Sequence, residues 1–463
     1  MNRRHFLAST ALTAAHLALA QSSATHITIH PEPQQLIPPD FLGLGYEISS
    51  LTRPGLLSRS NTVYTNLVRT LNPQGVIRIG GNTADYASYA PNAAAVSTSY
   101  ASVVNDQVLR DLGTFLEATD WNLIWALNLG RGTVEQAVAE ARTVTTIAGK
   151  RLLAFEIGNE PDLFPNEKHR PTPYTYEQWL ADYRRVKAAL RNALPNIPFA
   201  GPDVAGHTDW VTRYVADEGH DSVLLTHHYY RGNQSPASTI AQLLGSDPKL
   251  QPQLDQLRDA SRTSHLPYRI CEVNSFSGGG RPGVSDTLAS ALWVLDYMYT
   301  LASNGCAGVN METGVNQHDF ISSYSPIGDD EHGQYTARPE YYGMLAFAQG
   351  ASGHLLATTV DNLNPDLKIY AAQQSLNVTT LTLINKGPAA IPITVDAVHN
   401  HASTLALKGP AIDAKTDVTL GGTEVAADGT WKPAAKLFPI PNHTLKLTLP
   451  ASSAIIVSFN ALR

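Results

Sequence analysis

Two glutamates stand where chemistry could be done. Glu160 closes the apolar run "LLAFEIGNE" and is followed at once by Pro161, and Glu272 lies late in the apolar run "PYRICEVNS". A buried strand rarely carries a carboxylate unless the group has a partner or a task. Two carboxylates facing each other across one sugar linkage are the machinery of glycoside hydrolysis. One gives a proton to the departing oxygen, and the other attacks the anomeric carbon or activates water. Two nearby negative charges also raise one of the two pKa values, which keeps the acid protonated near neutrality. Each glutamate read alone could instead be a buried ion-pair partner. Arg78 in "VIRIGG" is an obvious cation for that purpose, and Glu156, of the same strand parity as Glu160, is assigned to it.

The elements that must position this pair follow one pattern. Apolar runs begin at residues 42, 76, 122, 152, 197, 222, 267 and 305, with amphipathic segments between them. In "GTVEQAVAEARTVTTIAGK", Val134, Ala137, Val138, Ala141 and Val144 fall at helical spacing and Gly149 stands as a stop. In "TYEQWLADYRRVKAALRNALP", Trp179, Tyr183, Val186 and Leu190 do the same before Pro195. Eight such strand–helix units predict an α/β fold, a (β/α)8 TIM barrel over residues 36–350. Chemistry on such a barrel sits at the C-terminal ends of the strands, and the fourth and seventh strands, which end near Glu160 and Glu272, face each other across the mouth. From about residue 351 the pattern changes to alternation, as in "LKIYAAQQ", "VTTLTLINK" and "SAIIVSFN". That predicts a C-terminal antiparallel β-sandwich over 351–463 that braces the barrel. "THITIHPEP" has the same period, so the strand at 24–35 is expected to join that second domain.

Composition narrows the function classes. Hydrophobic residues make up 43% of the chain and charged residues 16%, enough for a large core. The net charge of -7, with no basic run past the N-terminus, argues against nucleic acid and against an anionic membrane surface as partners. Residues 1–20, "MNRRHFLASTALTAAHLALA", combine a basic start, an apolar middle and an Ala-Leu-Ala end. They read as an export signal of the twin-arginine type, and imply a periplasmic or secreted protein with no membrane span once processed. Cys271 and Cys306 both lie in apolar strand-like runs. Export would permit a bridge, but two buried free thiols is the reading preferred. No metal constellation or phosphate-cradling loop is present, and the chemistry needs no cofactor.

"GNEPD", "THHYYRG" and "EVNSFSGGGRPGVSDTLASALWVLDYM" together resemble glycoside hydrolase family 79, which holds β-glucuronidases and heparanases, within the larger clan of retaining (β/α)8-barrel glycosidases. The Asn-Glu-Pro alone is clan-wide, and the long segment after Glu272 is far more specific. The resemblance implies Glu160 as general acid/base and Glu272 as nucleophile, with a covalent glycosyl-enzyme intermediate and carboxyl groups roughly 5–5.5 Å apart. It implies Asn159 on the sugar 2-hydroxyl and an exo-acting β-glucuronidase releasing glucuronic acid from glycans or glycosides. The modest charge disfavours a heparanase-like cleft for sulfated polymer.

A uronic acid needs donors near its carboxylate. "SFSGGGRPG" offers backbone N–H groups at Gly278 and Gly279. Ser277 stands where the family generally has tyrosine, which weakens the glucuronide reading more than the glycosidase reading and motivates a neutral-sugar β-glycosidase (glucoside, xyloside or galactoside) as the alternative. A carbohydrate-binding protein without catalysis is a further alternative, against which both glutamates speak. Tyr324 in "FISSYSPI" is the expected second tyrosine near the sugar carboxylate, and Tyr230 is expected to hydrogen-bond Glu272. Glu47 and, more weakly, Asp85 are candidates for sugar hydroxyls. His227 and His228 read as structural histidines of the barrel.

Overall fold

In the computed structural model, residues 24–461 are described except 54, 99–100, 315–321 and 331. The segment read as an export signal lies outside the described residues. Strand β1, Thr25–Ile37, is followed by eight parallel strands: β2 Gly43–Glu47, β3 Val76–Gly80, β4 Asn122–Leu127, β5 Leu152–Ile157, β6 Ala200–Val204, β7 Leu224–Asn233, β8 Tyr268–Ser277 and β9 Val309–Glu312. They hydrogen-bond in the order β5-β4-β3-β2-β9-β8-β7-β6. The Phe155 N–H donates to Pro198 O at 2.9 Å, and a bridge pairs Phe155 with Phe199, so β5 meets β6 and the ring closes. Each of the eight apolar runs has become one barrel strand.

The helices that return the chain are α1 Thr62–Leu71, α2 Asp106–Thr119, α3 Val134–Ala148, α4 Tyr176–Ala193, α5 Thr208–Glu218, α6 Leu250–Ser264, α7 Leu288–Ser303 and α8 Pro339–Gly350. Their boundaries have local causes. Thr133 and Gln136 form a reciprocal capping box at the start of α3, as Thr175 and Gln178 do at α4. Gly149 ends α3 at φ 54°, a conformation open to glycine at little cost. Trp179, Tyr183, Val186 and Leu190 of α4 are all buried, as their spacing predicts.

Inside the barrel, Val76, Ile124, Ala154, Ala200, Leu224 and Cys271 form a small apolar plug. Side chains along a strand alternate faces, so residues two positions on point the same way. Arg78 follows Val76 and Glu156 follows Ala154 on that inward face, which stacks a charged layer directly above the apolar one. Cys271 and Cys306 are buried and unbridged.

The second sheet contains β10 Gly353–Asp361, β11 Leu367–Ser375, β12 Val378–Asn385, β13 Ile391–Asp396, β14 His401–Lys408, β15 Thr419–Leu420, β16 Phe438–Pro439, β17 Thr444–Leu449 and β18 Ser453–Asn460. Strand β1 lies between β10, antiparallel to it, and β13, parallel to it. The sheet is thus mostly antiparallel rather than wholly so. A parallel pairing arises because β1 comes from the other end of the chain and need not obey hairpin geometry. One inner core gathers Leu381, Leu383, Ile393, Val395, Val457 and Phe459. The opposite face, with Ile384, Leu407 and Ile456, merges with the barrel core against α7 and α8. Tyr299 of α7 stacks on Tyr370 of β11, ring centroids 4.4 Å apart and planes 5° from parallel, and its hydroxyl meets Thr382 Oγ1 at 2.8 Å. Among the described residues no helix is long and apolar enough to cross a membrane.

Candidate active site

A cavity of about 520 Å³ opens at the C-terminal ends of the barrel strands. Glu47, Glu160, Tyr230, Glu272, Ser277, Gly278, Gly279 and Tyr324 line it, together with Asn82, Glu167, His228, Asn233 and Glu312. The volume suits one or two sugar rings.

Glu160 is placed by an unusual backbone. It has φ 46° and ψ 52°, left-handed for a non-glycine residue, and its N–H donates to Asp203 O at 2.9 Å. Pro161 disfavours the right-handed helical region at the preceding residue, and the Pro161–Leu163 turn then leads the chain away. A strained carboxylate at a strand end marks a position held for a purpose. Glu160 Oε1 lies 2.9 Å from His228 Nδ1, and the other imidazole nitrogen, Nε2, lies 2.8 Å from Asp203 Oδ1. His228 is therefore not a structural histidine remote from the chemistry. Its place midway along β7, on the face opposite His227, turns it into the cavity. His227 does keep a structural role, with its Nε2 3.0 Å from Thr208 Oγ1.

Glu272 is gripped from two sides. The Tyr230 hydroxyl donates to Oε1 at 2.9 Å, and Arg78 Nη1 donates to Oε2 at 2.8 Å. Arg78 is wholly enclosed and serves four groups at once. Its Nε donates to Glu156 Oε2 at 3.0 Å, and its Nη2 donates to Asp203 Oδ2 at 2.6 Å and to Asn159 Oδ1 at 2.7 Å. One oxygen each of Glu160 and Glu272 and one nitrogen of His228 lie within 4.8 Å of one another.

The electrostatics separate these acids. Burial is the largest influence on Glu160 and raises its pKa to about 7; the His228 bond works against this and the Glu272 charge adds to it. Burial and the neighbouring Asp203 charge raise Glu156 to about 8. Asp203 goes the other way. Burial opposes its charge, but Arg78 and His228 overcome that and hold its carboxyl well below the usual range. Burial likewise opposes a charge on His228, and the Asp203 and Glu272 charges outweigh it and push its pKa well up. With both nitrogens facing carboxylates, His228 is an imidazolium donor, so it has no lone pair for a metal, and Arg78 already occupies Glu272. The arrangement is one for moving protons.

Two expected sugar contacts sit differently. Asp85 does not line the cavity. It is 1% exposed, its Oδ1 accepts from the N–H groups of Leu129 and Gly130, and its Oδ2 accepts from the Asn159 N–H. It folds the loops below the site and, buried there, does not reach the cavity. Asn159, 3% exposed, lies just behind the wall and donates to Asn82 Oδ1 at 3.1 Å, and Asn82 is the residue at the surface of the cavity. Glu47 does line it, with its carboxylate accepting from Asn82 N, Thr83 N and Thr83 Oγ1. Ser277 Oγ donates to Asn233 Oδ1 at 3.0 Å. Gly278 and Gly279 have φ of 77° and 88°, which only glycine adopts readily. Among the described residues, neither of their N–H groups has an acceptor. Tyr324 is buried beside Tyr230, ring centroids 6.3 Å apart.

Asp203, Asn82 and Glu312 escaped the sequence reading. Asp203 and Glu312 carry the same signal that marked Glu160 and Glu272, a carboxylate closing an apolar run. Asn82 lies in a loop and had no such signal.

No family model matches the chain. It is 29% identical over 345 residues to a β-glucuronidase of Aspergillus niger, spanning 67% of this chain and 62% of that protein. It is 28% identical over 388 residues to a β-glucuronidase of Neurospora crassa, spanning 71% and 68%. The chain thus covers less than two thirds of the length of the first of these relatives. In three dimensions it is similar to a 4-O-α-L-rhamnosyl-β-D-glucuronidase of Fusarium oxysporum, with a TM-score of 0.77 and 18% identity over 94% of this chain and 100% of that one. It is also similar to a family 51 α-L-arabinofuranosidase of Thermotoga petrophila, with a TM-score of 0.70 and 13% identity over 94% and 100%. These likenesses show the barrel-plus-sheet fold, and the sequence relatives agree with the resemblance to β-glucuronidases drawn from the motifs.

Proposed function

We propose that this β-glucuronidase-like chain is a retaining, exo-acting glycoside hydrolase that releases glucuronic acid. The observation that carries the reading is the approach of Glu160 to Glu272, oxygen to oxygen within 4.8 Å, at the mouth of the barrel. That is short of the roughly 6.5–9.5 Å that inversion needs to admit a water between the carboxyl groups. In the first step Glu160, held protonated by its surroundings, gives its proton to the glycosidic oxygen while Glu272 bonds to the anomeric carbon; the bond between that carbon and the glycosidic oxygen breaks, and the aglycone leaves as an alcohol. Arg78 and Tyr230 hold the two oxygens of the attacking carboxylate and so orient it. In the second step Glu160, now a base, takes a proton from water as water displaces Glu272.

Support for a uronate comes from the named relatives and from the two unoccupied N–H groups at Gly278 and Gly279, with Tyr324 nearby. A neutral sugar is the second reading. It is favoured by the cavity lining, which among the described residues holds Glu47, Glu160, Glu167, Glu272 and Glu312 but no lysine or arginine. Hydrolysis of 4-nitrophenyl β-glucuronide beside the β-glucoside, β-xyloside and β-galactoside decides between them. Turnover of the neutral substrates only would reject glucuronic acid. The N-terminal segment supports export to the periplasm or beyond, which fractionation of cells expressing the full chain would test. The catalytic role of Glu272 is tested by trapping with a 2-fluoro glycosyl fluoride, which should leave its mass on the peptide containing that residue.

A further inference from the structure

Glu312 ends β9, between Glu47 on β2 and Glu272 on β8. It is 2% exposed yet borders the cavity, and among the described residues neither of its carboxyl oxygens has a hydrogen-bond partner. The Gly314 amide lies near without making a bond of normal geometry. Glu47, in contrast, accepts from three donors. A buried carboxyl left without partners is costly to keep, and its persistence calls for a ligand that completes it. Burial, then the Glu272 and Glu47 charges, push its pKa well up, so near neutrality it is a carboxylic acid with one donor and free acceptor positions. A ring hydroxyl, which both donates and accepts, matches that capacity.

The side chain reaches this place because residue 45 has none. A Cβ at Gly45 would stand 2.7 Å from Glu312 Oε2, so the carboxyl rests on the bare backbone of β2. Glu47 and Glu312 flank the part of the cavity beside Glu272, where the rest of the ring must lie once its anomeric carbon stands between Glu160 and Glu272.

We infer that Glu312 is a specificity-determining residue of the candidate site, one that binds a ring hydroxyl of the sugar through its carboxyl group. The inference rests on the glycosidase reading but not on the sugar being a uronate.

The test uses the full chain and whichever nitrophenyl β-glycoside of the panel the wild type cleaves. Glu312→Leu should raise KM by roughly tenfold or more with kcat changed far less, since a lost hydrogen bond to the bound ring weakens binding first. Glu312→Gln, which keeps a neutral donor and acceptor, should restore KM to within about threefold of wild type. Gly45→Ala, which crowds the carboxyl without altering it, should reproduce the loss. The melting temperature of Glu312→Leu should hold or rise, because an unpartnered buried carboxyl is replaced by an apolar group. Unchanged KM in Glu312→Leu, or equal losses in the Leu and Gln variants, would overturn the inference. Cleavage of neutral glycosides alone would reject the uronate reading and leave these variants to judge Glu312. A wild type that cleaves nothing in the panel would remove both readings.

Discussion

Arg78 and Glu272 form an ion pair, Nη1 to Oε2 at 2.8 Å, in which the cation is completely enclosed by the barrel. Glu156 and Asp203 share the same guanidinium, so one positive charge supports three acidic side chains. Arg78→Met would strand these acids in a dry interior. Breaking a buried pair costs roughly 3–5 kcal/mol, and a loss of at least that size is expected here. Arg78→Lys should rescue little, because one ammonium cannot reproduce a planar fork that reaches all of them. Urea denaturation midpoints of the three proteins check this.

Tyr230 holds the second oxygen of Glu272. Tyr230→Phe removes that donor without opening a cavity. A hydrogen bond to a charged group is worth about 1.5–3 kcal/mol, which translates into a fall in kcat/KM of roughly 10- to 100-fold. The melting temperature should barely change. A variant as active as wild type would show that the tyrosine does not orient Glu272 for the proposed reaction.

Glu160 must carry a proton to serve as acid, and its pKa is raised to about 7, first by burial. The protonated fraction falls as pH rises through that value, so kcat/KM should decline on the alkaline side with a midpoint near 7. Glu160→Gln should abolish that limb and lower kcat by roughly 10²–10⁴ on substrates whose leaving group needs protonation. Activated aryl glycosides should suffer less in the first step, which a comparison of leaving groups measures.

A third acid tests the same physics away from the chemistry. Glu140 of α3 is 6% exposed and accepts from Trp125 Nε1 at 3.1 Å. Burial raises its pKa from 4.5 to about 8. The folded chain therefore keeps a proton there that the unfolded chain releases. The stability this provides is complete below about pH 4.5 and is lost as pH rises through 8. Glu140→Gln, which can still accept from Trp125, should lose less stability than wild type between pH 5 and pH 8 in urea titrations.

The barrel was legible because its signal is local and repeated. Every apolar run from "LGLGYEIS" to "GCAGVNMET" became a strand, and α4 buries the residues its spacing marked. The meeting of Glu160 and Glu272 at one cavity was legible because both lie late in apolar runs whose strands face each other across the barrel. His228 was misread because nothing in "THHYYRG" says which histidine turns inward; that depends on the pleat of β7 and on Asp203 arriving from β6. The sequence does not place Asp85, because a carboxylate at a cavity wall and one that binds backbone N–H groups look alike until the loops around Leu129 and Asn159 close on it. Asp203 and Glu312 also close apolar runs, but only the packing of β6 and β9 beside β7, β8 and β2 shows that they reach the same cluster.

Strand β1 opens the described chain, and its partners β10 and β13 are made more than three hundred residues later. No segment ending near residue 350 can be a complete folding unit: its first strand would hang without neighbours, and the apolar flanks of α7 and α8 would face water. Truncation there should give an aggregating polypeptide rather than a minimal enzyme. During synthesis this strand has to wait until residues 353–396 have emerged, which makes the late appearance of the second sheet the event that seals the barrel against it.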